Sequence, residues 1–200
     1  MEELLKVQEL VDVILDCEWQ MFQRVRSAYP VSCQQSPETF RKIRASIFEM
    51  WTEDILISYL NDLLQAEAVG RNLLAEKYAR MDNLIPRTNF NPLIEKIVAL
   101  DADWQAEVKD KYPHLYSAVC RGMEPTDDGK NFSVYLRCEL ETYGQTTIEL
   151  YYQQTSKALA DGENLTLKML KRLTEKGGFK DLDQAEGHLA GLKTKNHQDE

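Results

Sequence analysis

Residues 40–73 read FRKIRASIFEMWTEDILISYLNDLLQAEAVGRNL, and residues 132–165 read FSVYLRCELETYGQTTIELYYQQTSKALADGENL. Laid on each other without a gap, at an offset of 92, they share Phe40/Phe132, Glu49/Glu141, Tyr59/Tyr151, Ala66/Ala158, Ala68/Ala160, Gly70/Gly162, Asn72/Asn164 and Leu73/Leu165. Eight identities in 34 positions exceed the roughly two that unrelated chains of ordinary composition would give. The chain therefore reads as a duplication, and the fold of one copy decides the fold of both.

Upstream the match continues at an offset of 83, with Leu10 on Leu93, Ile14 on Ile97, Met21 on Trp104, Val25 on Val108 and Tyr29-Pro30 on Tyr112-Pro113. The reading is a three-helix unit repeated over 3–83 and 93–176 within a single domain, with a linker at 84–92. A short extra helix over 181–191 follows, then a frayed tail. The first helix, 3–28, carries Val7, Leu10, Val11, Ile14, Cys17, Met21, Phe22 and Val25 on one core-facing stripe. Tyr29-Pro30 ends it, because the residue before Pro is pushed out of the helical region. Ser36-Pro37-Glu38 restarts the chain with a capping hydroxyl, a first-turn Pro and a first-turn acid. The second helix runs to Val69 and is apolar on more than one side, which makes it central. In the repeated Gly-x-Asn-Leu at 70–73 and 162–165, Gly closes one helix and Asn caps the next. The expected fold is all-α: a pseudo-twofold bundle of six main helices.

Composition narrows the function classes. Among 200 residues, 24 basic side chains face 33 acidic ones, which argues against general nucleic-acid binding, where a basic surface must displace phosphate counterions. No run of 18 apolar residues exists, so no membrane span is expected. The opening MEELLKVQEL is acidic and amphipathic, unlike a secretory signal. Cys17, Cys33, Cys120 and Cys138 lack CxxC spacing and suit reduced thiols in a cytoplasm. Phosphate-loop, dinucleotide, HExxH and Gly-x-Ser-x-Gly motifs are absent, and no cofactor is expected.

Polar residues interrupt the pattern. Glu18 lies inside the first apolar stripe, one turn from Ile14 and Phe22, and its counterpart Asp101 lies one turn after Ile97. A buried carboxylate needs a partner, and Arg44, Arg80 and Arg137 are candidates. One reading is a structural ion pair; the other is a polar pocket at the seam of the copies, lined by Glu18, Asp101, Asp54, Glu49 and Glu141. A di-metal centre would want Glu-x-x-His pairs, and His114, His188 and His197 do not supply them; all-oxygen coordination of Mg²⁺ stays open. Cys33, in the loop SCQQS, would need a nearby His or cation to become a nucleophile. Glu76 and Arg80 are spaced for a surface pair one turn apart.

The strings EWQMF at 18–22, SCQ at 32–34, GRNLLAEKYARM at 70–81 and YLRCELETY at 135–143 resemble a bacterial family of about 200 residues known as a domain of unknown function. The resemblance covers residues 15–175. It carries no activity, and its polar motif positions here are Glu18, Trp19, Ser32, Cys33, Gln34, Arg44, Trp51, Arg71, Asn72, Glu76, Lys77, Arg80, Arg137 and Glu139. Members are often encoded beside or fused to nucleotidyltransferase-like domains, which implies a partner of that kind.

Two functional expectations follow. The first is a non-catalytic accessory protein acting with such a partner. The second is a small-molecule-binding protein or enzyme with a pocket built from Glu18, Arg44, Trp51 and Arg80, with Trp19, Cys33, Asp101 and Arg137 as further ligand-binding candidates. Trp19, Arg44, Trp51 and Arg80 align with Ala102, Leu136, Tyr143 and Arg172, so any pocket is expected to be lined mainly by the first copy.

Overall fold

The structure is a computed structural model, and it describes residues 2–25, 34, 36–124, 126 and 130–196. Among the described residues there are ten helices and no strand. They are α1 (Glu2–Gln23), α2 (Pro37–Phe48), α3 (Glu53–Ala68), α4 (Leu73–Met81), α5 (Leu93–Lys111), α6 (Pro113–Val119), α7 (Phe132–Leu140), α8 (Gln145–Ala160), α9 (Leu165–Lys176) and α10 (Leu182–Asn196). None is long and apolar enough to cross a membrane.

Helix α1 packs on α2, α3 and α4, while α5 packs on α7, α8 and α9. Across the middle, α2 meets α9, α3 meets α8 and α4 meets α7; α6 and α10 close one end. The main core gathers Phe22, Phe40, Phe48, Trp51, Tyr59 and Tyr143, all buried.

Each expected central helix is two helices. The chain breaks after Phe48 and after Leu140, then passes through extended backbone at Thr52 (φ −69°, ψ 157°) and Gly144 (φ −67°, ψ 160°). Two successive helices bury different faces, and this is why the apolar residues of one imagined helix fell on several sides. At the breaks, Trp51 and Tyr143 turn into the core edge-on, with ring centroids 6.2 Å apart.

The first helix also stops earlier than expected, at Gln23 rather than residue 28. The Gln34 side-chain amide donates to the Phe22 and Val25 carbonyls at 2.8 and 3.0 Å, satisfying oxygens that the helix end leaves open. Tyr29 and Pro30 lie outside the described residues. In the second half Tyr112-Pro113 does divide one helix from the next, with Pro113 opening α6. Ser36 makes no side-chain cap, whereas Pro37 and the first-turn acid Glu38 stand at the start of α2 as expected. The last helix reaches Asn196, and His197 lies outside the described residues.

Gly70 (φ +76°) and Gly162 (φ +70°) adopt the left-handed backbone that disfavours residues with a Cβ. Asn72 and Asn164 then cap the following helices, accepting from the amides of Ala75 and Leu167 at 2.9 Å each. Their amide groups reach further, to the Met21 carbonyl at 2.8 Å and the Trp104 carbonyl at 3.1 Å. Each cap thereby fastens a late helix to the first helix of its half. Asn72→Ala removes both contacts and should destabilise the protein by about 1–2 kcal/mol. In urea this appears as a lower midpoint at unchanged slope; an unmoved midpoint would show that the cap contributes nothing.

Candidate functional site

Five helices converge on two buried carboxylates. Glu18 of α1 is 0% exposed. It receives Nε and Nη2 of Arg44 at 2.7 and 2.5 Å and the Tyr59 hydroxyl at 2.7 Å. The same guanidinium donates through Nη1 to Glu139 at 2.8 Å. Glu139 also accepts Lys77 Nζ at 2.5 Å and the Tyr143 hydroxyl at 3.0 Å. Lys77 lies over the Tyr135 ring at 3.6 Å and Arg44 over Phe48 at 4.7 Å.

Two acids and two bases make the cluster neutral, which lets it stay charged away from water. Burial works against the charges of Arg44, Lys77 and Glu139, and their partners outweigh it. Glu139 and Glu18 raise the Arg44 guanidinium well above its usual value. Arg44 and Lys77 hold the Glu139 carboxyl well below the carboxylate range. Burial and the neighbouring carboxylates keep the Tyr59 and Tyr143 hydroxyls protonated.

A cavity of about 120 Å³ opens beside this cluster, with Arg44, Trp51, Tyr135, Glu139, Tyr143 and Tyr151 in its wall. Asp101 and Gln105, one turn apart on α5, also line it. They are 7% and 4% exposed, and Asp101 Oδ2 and Gln105 Oε1 have no hydrogen-bond partner. Native proteins rarely leave such acceptors unmatched. Burial pushes the Asp101 carboxyl up to about 7, against the opposing pull of the Tyr151 hydroxyl.

The structure brings together Arg44, Trp51 and Asp101 in one cavity and separates the other sequence candidates. Its wall comes mainly from the second half of the chain, contrary to the expected dominance of the first. Glu18 is not part of that wall, because Arg44 covers it with two bonds. Arg80 pairs with Glu141 at 2.7 Å, not with Glu76, which instead takes Arg71 at 2.6 Å. Arg137 pairs with Glu95 at 2.9 Å, so neither arginine serves Glu18 or Asp101. Trp19 packs on Phe22 and Phe40. Asp54 and Glu49 line a separate open groove whose Lys168 and Arg172 pair with Glu163 and Glu49. The seam acids therefore do not share a pocket. Cys33 lies outside the described residues. Among these residues no group of three His, Cys, Asp or Glu side chains is arranged to hold a metal ion.

Sequence reasoning missed Gln105, Tyr151 and Tyr143 as site residues. A signal existed for the first: it follows Asp101 by one turn, where the stripe calls for a hydrophobe.

Two outcomes test the electrostatics. The Asp101 carboxyl rises from 3.8 unfolded to about 7 folded, so the unfolded chain releases this proton first and stability falls as pH rises between those values. Asp101→Asn should match the wild type at pH 4 and exceed it at pH 8, by a margin on the order of 4 kcal/mol. Equal chemical denaturation of the two proteins at pH 8 would contradict this. Glu139→Gln leaves Arg44 with Glu18 alone and Lys77 without its carboxylate, and should destabilise by about 3–5 kcal/mol at neutral pH; a loss under 1 kcal/mol would mean the cluster relaxes into water.

No curated protein and no solved structure matches the chain. Residues 8–187, running from α1 into α10, match the family described as Protein of unknown function (DUF4125). With nine-tenths of its length inside that match, the chain belongs to this family.

Proposed function

We propose that the chain binds a small molecule in the cavity around Asp101, between the two halves of a duplicated helical unit. The observation that carries this reading is the pair of orphaned acceptors, Asp101 Oδ2 and Gln105 Oε1, on two residues that line the same cavity. Volume limits the guest: an engineered 150 Å³ apolar cavity takes benzene, so about 120 Å³ suits a ligand of roughly that size or smaller.

Several contacts support the duplication. Helices α3 and α8 have 16 residues each and begin at Glu53 and Gln145, 92 apart. The contacts of α2 on α9 and of α4 on α7 exchange when each helix is replaced by its counterpart 92 residues on or back. Arg80–Glu141 is mirrored by Arg172–Glu49. Tyr59 bonds Glu18, and its counterpart Tyr151 interacts with Asp101.

A second reading, an accessory protein with a nucleotidyltransferase-like partner, draws on the linker, where Leu84 and Phe90 are 75% and 71% exposed. The free thiols of Cys17, Cys120 and Cys138 fit a reducing, cytoplasmic setting.

Met50 and Met169 line the cavity while Met81 is buried elsewhere, which supplies a direct readout. A screen of small neutral, anionic and cationic metabolites should yield a compound that raises Tm with concentration, by about 2.7 kcal/mol of added stability at 100 times Kd. The same compound should shift the ¹³C-methyl signals of Met50 and Met169 and leave Met81 in place. A hit that shifts other methionines only, or no hit, overturns the reading in favour of the accessory role.

A further inference from the structure

Shifted by the two offsets of the repeat, the charged cluster around Glu18 has a counterpart at every position. Glu18 becomes Asp101, Tyr59 becomes Tyr151 and Tyr143 becomes Trp51. Arg44, Lys77 and Glu139 become Leu136, Met169 and Ile47. All six counterparts line the cavity. The second site has thus kept the acid and its tyrosine and holds apolar side chains where the first holds two cations and a second carboxylate. In addition, Gln105 stands at the position of Phe22, adding an acceptor where the first half has a ring.

Charge accounting points the same way. Glu18 and Glu139 are matched by Arg44 and Lys77, whereas buried Asp101 is paired with no cation among the described residues, and its Oδ2 has no hydrogen-bond partner. Resting on the small-molecule reading above, we infer that the ligand is a small organic cation with a guanidinium or amidinium head, which occupies beside Asp101 the place that the Arg44 side chain fills beside Glu18. A planar head with several N–H donors can serve Oδ2 of Asp101 and Oε1 of Gln105 together, as residues one helical turn apart lie about 5–6 Å from each other at Cβ. Trp51, Tyr143 and Tyr151 line the cavity, and aromatic rings attract a delocalised cation. Arg44 does not repel it strongly, because its charge is already shared between Glu18 and Glu139.

Binding of such a cation competes with the proton on Asp101. The titratable and charged groups that share the cavity wall with this carboxyl are Arg44 from α2, Tyr135, Glu139 and Tyr143 from α7 and the turn after it, and Tyr151 from α8; α9 contributes Leu165, Thr166 and Met169, none of them titratable. Arg44 and Glu139 stay charged, and Tyr143 and Tyr151 stay protonated, through the neutral range. Affinity should therefore rise about tenfold from pH 6 to pH 8 as the Asp101 proton, held to about 7, is lost.

The test compares methylguanidinium with methylurea, a neutral compound of closely similar shape, by ¹³C-methyl-methionine titration of the full chain at pH 6, 7 and 8. The expected result is saturable movement of Met50 and Met169 with methylguanidinium only, the pH rise just given, and at least tenfold weaker binding to Asp101→Asn. Leu136→Arg, which carries its own guanidinium to Asp101, should lose the response and gain thermal stability; Asp101→Asn keeps the test valid if that variant does not fold. Equal binding of methylurea, or affinity independent of pH, overturns the cationic head while the small-molecule cavity stands. Silence of Met50 and Met169 toward methylguanidinium, with another compound from the metabolite screen moving them, does the same; silence toward every compound overturns both.

Discussion

A carboxylate removed from water must be neutralised within its own shell, and Glu18 imposes that condition on half of this fold. It sits fully buried on α1, so α2 must deliver Arg44 and α3 must deliver Tyr59 to the same point. Arg44 in turn requires Glu139 from α7, and Glu139 requires Lys77 from α4. Five helices from both halves are thereby held in one register by bonds that tolerate little displacement, since charge-assisted contacts lose strength steeply with geometry. Ordinary apolar packing around Phe22, Phe48 and Tyr59 supplies the bulk of the burial but accepts many arrangements. The ionic cluster selects among them.

The bundle's other half meets the same condition differently. Asp101 occupies the position matching Glu18, and Tyr151 the position matching Tyr59, yet Leu136 cannot supply what Arg44 supplies. A shorter carboxylate, a shorter aliphatic chain in place of an arginine, and Gln105 in place of a phenylalanine all leave space as well as unmet hydrogen-bonding capacity. The cavity and the orphaned acceptors both lie where these residue differences between the halves fall.

Much of this was legible before any coordinates. The apolar stripes placed Glu18 and Asp101 inside, and the alignment of the halves already set Arg44 against Leu136. The Gly-Asn caps follow from local backbone chemistry, which a sequence carries directly. What periodicity could not carry was the break at Glu49–Thr52 and Glu141–Gly144, because neither contains a Pro and two short helices in series look like one helix with a wide apolar face. Nor could spacing pair Arg80 with Glu141 across 61 residues; a local partner, Glu76, was the simpler reading, and Arg71 had claimed it. The site is hidden for a related reason. Charged residues without a counterpart point to the first half, whereas the cavity wall comes mainly from the second, with only Arg44 and Glu139 of the ionic cluster's charged groups reaching it.

That inversion has an energetic basis. Holding Asp101 ionised with no cation bonded to it costs on the order of 4 kcal/mol above neutral pH, a large share of the 5–15 kcal/mol by which domains are stable. A leucine at the same position would carry no such penalty and would make that part of the cavity wall apolar. Retaining the acid while its neighbours are apolar is therefore an expensive arrangement for folding alone. It becomes favourable when a bound cation supplies the missing charge, because the desolvation of the carboxylate is then returned as affinity. This is how preorganised electrostatic sites gain strength: the unfavourable burial is met during folding, and a carboxylate held away from bulk solvent attracts an incoming cation more strongly than one in water.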